Sequence, residues 1–140
     1  MARYSLNLAV LLALSQLSLS AAAAESSGAK SAEITGRYAC SFTLNSGTDH
    51  FSYPNFLCVI SHDAGKLKLE KLSGSQRIKG AVSLTAAGFD FEGEFFCPDG
   101  DCTSKAYGHF EQLKPGKFHG ELQQSERPSE TISVELTKKK

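Results

Sequence analysis

Two cysteines that bracket a four-residue turn form the first candidate site for chemistry. Cys97 and Cys102 enclose the residues Pro-Asp-Gly-Asp at 98–101. A redox pair is typically spaced C-x-x-C at a helix N-terminus, and a calcium loop draws its ligands from a longer segment. Proline and glycine favour a tight turn. We therefore interpret the stretch as a disulfide that clamps the tip of a β-hairpin.

Two histidines and two glutamates form the second candidate site. His109 and Glu111 alternate outward on one predicted strand, and His119 and Glu121 alternate outward on the next. Imidazole and carboxylate groups are ligands for a zinc-like ion, whereas cross-strand ionic contacts explain the same pattern without a metal. The ionic interpretation is favoured, because an open sheet face gives a metal no supporting shell of hydrogen bonds. The sequence therefore predicts neither a metal nor a cofactor.

The longest segment without a strand pattern, 45–55, is the third candidate. It carries His50, Phe51 and Tyr53, and Phe56 follows directly. Aromatic residues in a long loop on a rigid scaffold often form a recognition site. The alternative is that Phe51 and Phe56 fold back and plug the end of a barrel. These residues are the candidate ligand or partner site.

A five-residue pattern with apolar ends and a central glycine predicts the elements that position these residues. Alternate residues of a strand share one face, so the apolar ends and the glycine point inward and the intervening polar residues point outward. About eight such strands, joined by hairpin turns, predict an all-β antiparallel meander closed into a barrel, with a two-sheet sandwich as the alternative. The pattern occurs at 34–38, 78–82, 91–95, 106–110 and 118–122.

Matching the inward faces of neighbouring strands predicts the register of two hairpins. One register places Gly80 opposite Gly93, and the next places Cys97 opposite Cys102 at the hairpin end. A slip by one residue would turn each apolar set to solvent. The chain has four cysteines, so Cys40 pairs with Cys58 by elimination. Two disulfides are typical of a small exported domain.

The N-terminal segment has the pattern of a cleaved secretory signal peptide. Arg3 supplies a positive charge, an apolar stretch follows at 6–19, and three alanines at 22–24 offer an A-x-A cleavage site. The stretch is too short and too polar for a membrane span. The sequence therefore predicts a secreted or periplasmic protein with no membrane span in its mature form. The predicted division is a signal peptide at 1–24, a disordered lead-in at 25–33, one β domain at 34–137 and a basic tail at 138–140.

The charge composition and the absence of catalytic motifs reduce the number of functions that the sequence supports. Lys and Arg total 15 and Asp and Glu total 15, which leaves no basic field for nucleic acid. The sequence contains no nucleophile elbow, zinc-protease motif or phosphate loop. We therefore predict a non-enzymatic binding or interaction module, whose partner is a small apolar ligand or a protein. The alternatives are a secreted hydrolase inhibitor that uses the 98–101 loop and a small hydrolase-type enzyme.

Overall fold

A single helical turn opens the part of the chain that the computed structural model describes, residues 30–140. The predicted signal peptide at 1–24, and residues 25–29 of the predicted disordered lead-in, lie outside it. Residues 30–34 are helical, so the helix includes residues 30–33 of the predicted lead-in, and Ile34, the predicted start of the β domain, is buried in the core. Within residues 30–140, no helix has the length and hydropathy that a membrane crossing requires.

Eight antiparallel strands follow the helical turn and close into one barrel, which confirms the predicted fold. Each strand pairs with the next one along the chain, and the last pairs with the first. This order is the closed meander that the hairpin connections predict. The strands are β1 (Gly36–Ser46), β2 (Asp49–Asp63), β3 (Lys66–Lys71), β4 (Arg77–Leu84), β5 (Gly88–Phe96), β6 (Thr103–Lys114), β7 (Lys117–Gln124) and β8 (Arg127–Lys138).

The predicted registers of the β4–β5 and β5–β6 hairpins are confirmed. Gly80 lies opposite Gly93, and Gly93 lies opposite Ala106 on its other side. A Cβ atom added to Gly93 would lie 2.5 Å from the Cα of Gly80. The two backbones therefore approach each other at a distance that only glycine allows, as expected where a sheet bends sharply.

Aromatic side chains fill the half of the barrel next to the helical turn. Phe89 stacks on Phe110 with ring centroids 4.6 Å apart, and Phe118 packs against Phe89 at 5.3 Å and against Tyr38 at 6.1 Å. The Tyr38 hydroxyl donates a hydrogen bond to the carbonyl of Ile34 at 2.5 Å. This bond fastens the helical turn over the barrel, so this end is closed.

The prediction of an irregular loop at 45–55 is wrong, because the segment is a β-hairpin. β1 and β2 both extend into it and leave a two-residue turn at Gly47 and Thr48. Gly47 has a φ of 61°, a left-handed conformation that glycine adopts at little cost. Asn45 pairs with His50 beside the turn. The hairpin therefore continues the barrel wall on one side of its opening.

A β-bulge explains how the hairpin accommodates residues that usually break strands. The register between β1 and β2 shifts between Cys40 and Phe42, so Pro54 and Asn55 together oppose Ser41. Asn55 has a φ of 65°, which asparagine tolerates better than most residues. A bulge takes up the extra residue, and it is also where proline is accepted in a sheet.

The C-terminus is more ordered than the basic tail predicted at 138–140. Lys138 belongs to β8, and its backbone N–H donates to the Gly116 carbonyl at 2.7 Å. Its Nζ donates to the Glu33 carbonyl at 2.6 Å. The difference has a physical reason, since β8 must pair with β1 to close the barrel and Lys138 is the partner of Tyr38 in that pairing.

Both predicted disulfides are present. Cys40 and Cys58 link β1 to β2 with Cα atoms 5.9 Å apart, and Cys97 and Cys102 bridge the ends of β5 and β6 with Cα atoms 5.2 Å apart. In the second pair, the Cys97 N–H also donates to the Cys102 carbonyl at 2.9 Å. Such disulfides are consistent with an oxidising compartment.

The two disulfides are expected to contribute unequally to stability. The cysteines are 18 residues apart in the first pair and 5 apart in the second. On the chain-entropy model, replacing both cysteines by alanine should cost about 3 kcal/mol for Cys40 and Cys58 and about 2 kcal/mol for Cys97 and Cys102. Urea denaturation of the two double variants measures both values. A larger loss from the Cys97–Cys102 pair would contradict the expectation.

Candidate functional site

A cavity of about 730 Å³ occupies the half of the barrel opposite the helical turn and opens to solvent. It exists because the aromatic cluster fills only the closed half. Its rim includes parts of the β3–β4, β5–β6 and β7–β8 connections. Pockets for small molecules typically measure about 300–1,000 Å³. The cavity is therefore large enough to hold a small ligand.

Apolar side chains line one part of the cavity. They occupy inward positions of the strands, where alternate residues face the interior. The rings of Phe42 and Phe56 meet edge to face with centroids 6.1 Å apart, a preferred aromatic geometry. This wall offers a ligand an apolar surface. Its members are Phe42, Leu44, Tyr53, Phe56, Phe95 and Ile132.

A charged rim borders the cavity on the β6–β8 side. Arg127 Nη1 lies 3.5 Å from Glu130 Oε2. Asp101 and Glu126 also line the opening, and both are exposed. Solvent screens exposed charges, so such contacts add little energy. This rim is therefore the hydrated edge of the cavity.

A single lysine faces the cavity from the end of β3. Lys71 is 6% exposed and is the one buried polar or charged residue within residues 30–140. Its Nζ donates to the backbone carbonyl of Gln76 and lies 3.7 Å from the ring centroid of Phe56 and 5.2 Å from that of Phe42. Cation–π contacts replace part of the lost hydration. In the described part of the chain, no carboxylate lies within 4.0 Å of this Nζ.

Burial lowers the pKa of Lys71 to about 8, and the positive charge of Arg77 acts in the same direction. The physical cause is desolvation, because an ammonium group loses hydration when it is buried. At neutral pH the lysine remains mainly protonated. The cavity wall therefore carries a positive charge that rings and one carbonyl stabilise, without a counter-ion from residues 30–140.

Lys71 is not among the candidates predicted from the sequence, although the sequence contains an indication of it. In β3, Leu67 and Leu69 are buried, and Lys71 occupies the next inward position. Lysine is almost never fully buried unless it is paired. A lysine that continues the apolar series of a strand therefore indicates a site, and that alternation could have found it.

The structure separates the four candidates predicted around the first hairpin. Tyr53 and Phe56 line the cavity. Phe51 lies one inward position closer to the hairpin tip and is not among the residues that line the cavity, although it is half exposed, as Tyr53 is. His50 lies on the opposite strand face, with its Nδ1 2.7 Å from Asn45 Oδ1. Of the two aromatic residues predicted to plug the barrel, Phe56 packs against the core and Phe51 does not.

The four metal candidates lie together on the outer face of the barrel. His109 is opposite Glu121 and Glu111 is opposite His119. This is the arrangement predicted when the apolar faces of both strands point inward. His109 Nδ1 lies 2.6 Å from Asp90 Oδ1 on the neighbouring strand. Among residues 30–140, no three His, Cys, Asp or Glu side chains gather closely enough to hold a metal ion. Within the described residues, neither histidine lies within 4.0 Å of the glutamate opposite it, and the contact from His109 to Asp90 takes the place of the predicted cross-strand pair.

The Cys97–Cys102 clamp belongs to the rim of the cavity. Asp101 and Cys102 line the opening, and the Gly100 N–H donates to the Cys97 carbonyl at 3.3 Å. The disulfide therefore holds the β5–β6 connection in a fixed position beside the cavity.

The cavity, its apolar wall and its buried lysine are the features from which a function can be argued. They combine an apolar surface with one charged group, which is the usual composition of a small-molecule site. Comparison with known proteins does not add to them, since no protein-family model matches the sequence and no curated protein matches it significantly.

Proposed function

We propose that this chain is a non-enzymatic binding protein that holds a small molecule in the open half of its barrel. The observation that carries the proposal is the cavity of about 730 Å³ beside a closed and filled half. A completely filled barrel would place recognition on the outer surface instead. Apolar ligand surface buried against the aromatic wall contributes roughly 25 cal/mol per Å², so a ligand of modest size gains useful affinity there.

The proposed site of action is outside the cytoplasm, either secreted or periplasmic. Two disulfides in a small β domain support it. The signal-peptide pattern at 1–24 supports it as well. An exported carrier would meet its ligand in the medium or the periplasm.

Binding is favoured over catalysis because of the groups around the cavity. Burial can activate a lysine nucleophile by lowering its pKa, but turnover also needs a group that transfers protons to and from the substrate. Lys71, the most reactive group on the wall, has a carbonyl oxygen and aromatic rings as its neighbours in the described chain. An inhibitor of a hydrolase would present the 98–101 loop to its target. Asp101 instead borders the cavity, which favours the interior.

Filling the cavity is expected to weaken binding without unfolding the barrel. Leu44 lines the cavity and Leu113 is exposed on the outside, so the same leucine-to-tryptophan change provides a matched pair. We expect the neutral apolar dye Nile red to bind the wild type and Leu113→Trp equally, and Leu44→Trp at least about tenfold more weakly, a loss of about 1.4 kcal/mol. Fluorescence titration measures binding, and a thermal melt verifies the fold.

Unchanged dye binding by a folded Leu44→Trp protein would contradict the proposal, because the ligand would then lie elsewhere. Equal weakening by both tryptophan variants would contradict it too. The half-exposed Phe51 at the hairpin tip would then be the next surface to test, with a protein partner in place of a small molecule.

A further inference from the structure

The strongest indication of ligand chemistry is the buried lysine on the cavity wall. Lys71 is 6% exposed, yet it lines a cavity that is open to solvent and to ligands. Lys71 has three N–H donors, as every lysine does. One is directed to the Gln76 carbonyl, and the face of the Phe56 ring lies 3.7 Å away. Donor capacity therefore remains for a group inside the cavity.

We propose that the cavity binds an amphipathic carboxylate, whose head group pairs with Lys71 Nζ and whose apolar part lies against the aromatic and aliphatic wall. This inference rests on the proposed small-molecule function and specifies its ligand class. It revises the small apolar ligand that the sequence predicts. A carboxylate would give the buried ammonium the counter-ion that the described residues do not provide, and charge-assisted hydrogen bonds are stronger than neutral ones.

The charges around the cavity have an asymmetric distribution that orients such a ligand. Lys71 and the nearby Arg77 make the β3–β4 side positive. On the opposite side, Asp101 and Glu126 are exposed and screened, and Glu130 is paired with Arg127. Lys71 acts in a drier environment, where charge pairs are stronger. The head group is therefore drawn to the β3–β4 side. The charged residues across the cavity are Asp101, Glu126, Arg127 and Glu130.

Binding of a carboxylate also has a consequence for protonation. A nearby negative charge stabilises the protonated lysine and raises its pKa. The free protein has a Lys71 pKa of about 8, so near pH 8 the amine is partly neutral before binding. The complex should therefore take up a proton at this pH. Above it, affinity for the carboxylate should fall, because the amine must be protonated before it can pair.

Three ligands built on an unbranched ten-carbon chain test the head group. Decanoate, decan-1-ol and decyltrimethylammonium are titrated by calorimetry at pH 7. We expect decanoate to bind the wild type about thirtyfold more tightly than decan-1-ol. Lys71→Met should remove this preference and leave decan-1-ol binding unchanged or slightly improved. Lys68→Met, on the half-buried outer face of the same strand, should keep the preference.

Proton uptake is the second readout, and a merely structural role of Lys71 would not produce it. Calorimetry at pH 8 in buffers of different ionisation enthalpy should show uptake of about half a proton per decanoate bound. The uptake should be absent at pH 6, absent with decan-1-ol and absent in Lys71→Met. Together these results would assign the carboxylate to Lys71.

The outcomes separate this inference from the proposed function. Equal affinity for decanoate and decan-1-ol, or a preference for decyltrimethylammonium, overturns the carboxylate assignment and leaves the cavity as a binding site. A preference for decanoate that survives in folded Lys71→Met also overturns the assignment. Absence of binding by all three ligands, together with unchanged Nile red fluorescence, contradicts the proposed function itself.

Discussion

Gly93→Val is expected to lower the free energy of unfolding by about 3 kcal/mol. A Cβ at this position would lie 2.5 Å from the Cα of Gly80, and the carbonyl oxygen of Lys79 would be closer still. Both neighbours are backbone atoms of a paired strand. They cannot rotate away as a flexible side chain can, so the added volume must separate β4 from β5 or distort their hydrogen bonds.

The adjacent outward residues provide the controls for this prediction. Glu92→Val should change stability by no more than about 0.5 kcal/mol, because Glu92 is exposed on the outer face. Glu94→Val removes an ion pair in which the Lys79 Nζ is 2.9 Å from Glu94 Oε1, an exposed contact worth at most about 1 kcal/mol. Urea denaturation compares the three variants. Similar losses at all three positions would contradict the inward placement of Gly93.

The strand registers could be predicted because alternation leaves few choices. In β4 and β5, a shift of one residue would expose Ile78 and Phe91 together, whereas the observed register buries both. The same restriction places Cys97 opposite Cys102, and so the clamp follows from the register. Periodicity and disulfide pairing are local constraints, and the sequence contains them directly.

The first hairpin could not be predicted in the same way because a bulge interrupts its alternation. Tyr53 and Phe56 both face the cavity although they are three residues apart, which is an odd spacing for one strand face. The bulge at Pro54 and Asn55 restores the phase. Strand breakers within a paired strand resemble a loop unless the partner strand is known.

The cavity could not be predicted because its volume depends on how side chains from distant strands fill the barrel. Phe89, Phe110 and Phe118 pack together in one half, whereas the aromatic residues of the other half line an open cavity. No single strand shows this imbalance. Lys71 is different, since its inward position follows from Leu67 and Leu69 in the same strand, and its charge is visible in the sequence.

Lys71→Met is expected to stabilise the ligand-free protein by about 2 kcal/mol at pH 7. Burial lowers the pKa of this lysine to about 8, which means that the folded state disfavours the charged amine. Methionine has a similar length and fills the same space without a charge. Part of the gain is offset by the lost contact between Nζ and the Phe56 ring at 3.7 Å. Greater stability with weaker carboxylate binding is the trade-off typical of a functional site.

The destabilising effect of the buried Lys71 charge should also appear in the pH dependence of the free energy of unfolding. Between pH 8 and pH 10, the unfolded chain keeps the Lys71 proton and the folded chain loses it, so the free energy of unfolding should rise by about 2 kcal/mol. Above pH 10 it should fall again, because burial and the charge of Glu33 raise the pKa of Tyr38 to about 12. The unfolded chain then releases the tyrosine proton first. We therefore expect maximum stability near pH 10.

Chemical denaturation of wild type and Lys71→Met across pH 7–11 tests this expectation, with Lys68→Met as the outward control. The rise from pH 8 to pH 10 should be present in the wild type and in Lys68→Met, whose side chain is 32% exposed, and absent in Lys71→Met. The fall above pH 10 should remain in all three, because Tyr38 is unchanged. If the rise persisted in Lys71→Met, another group would cause it, and Lys71 would not be the buried charge that a bound carboxylate is expected to neutralise.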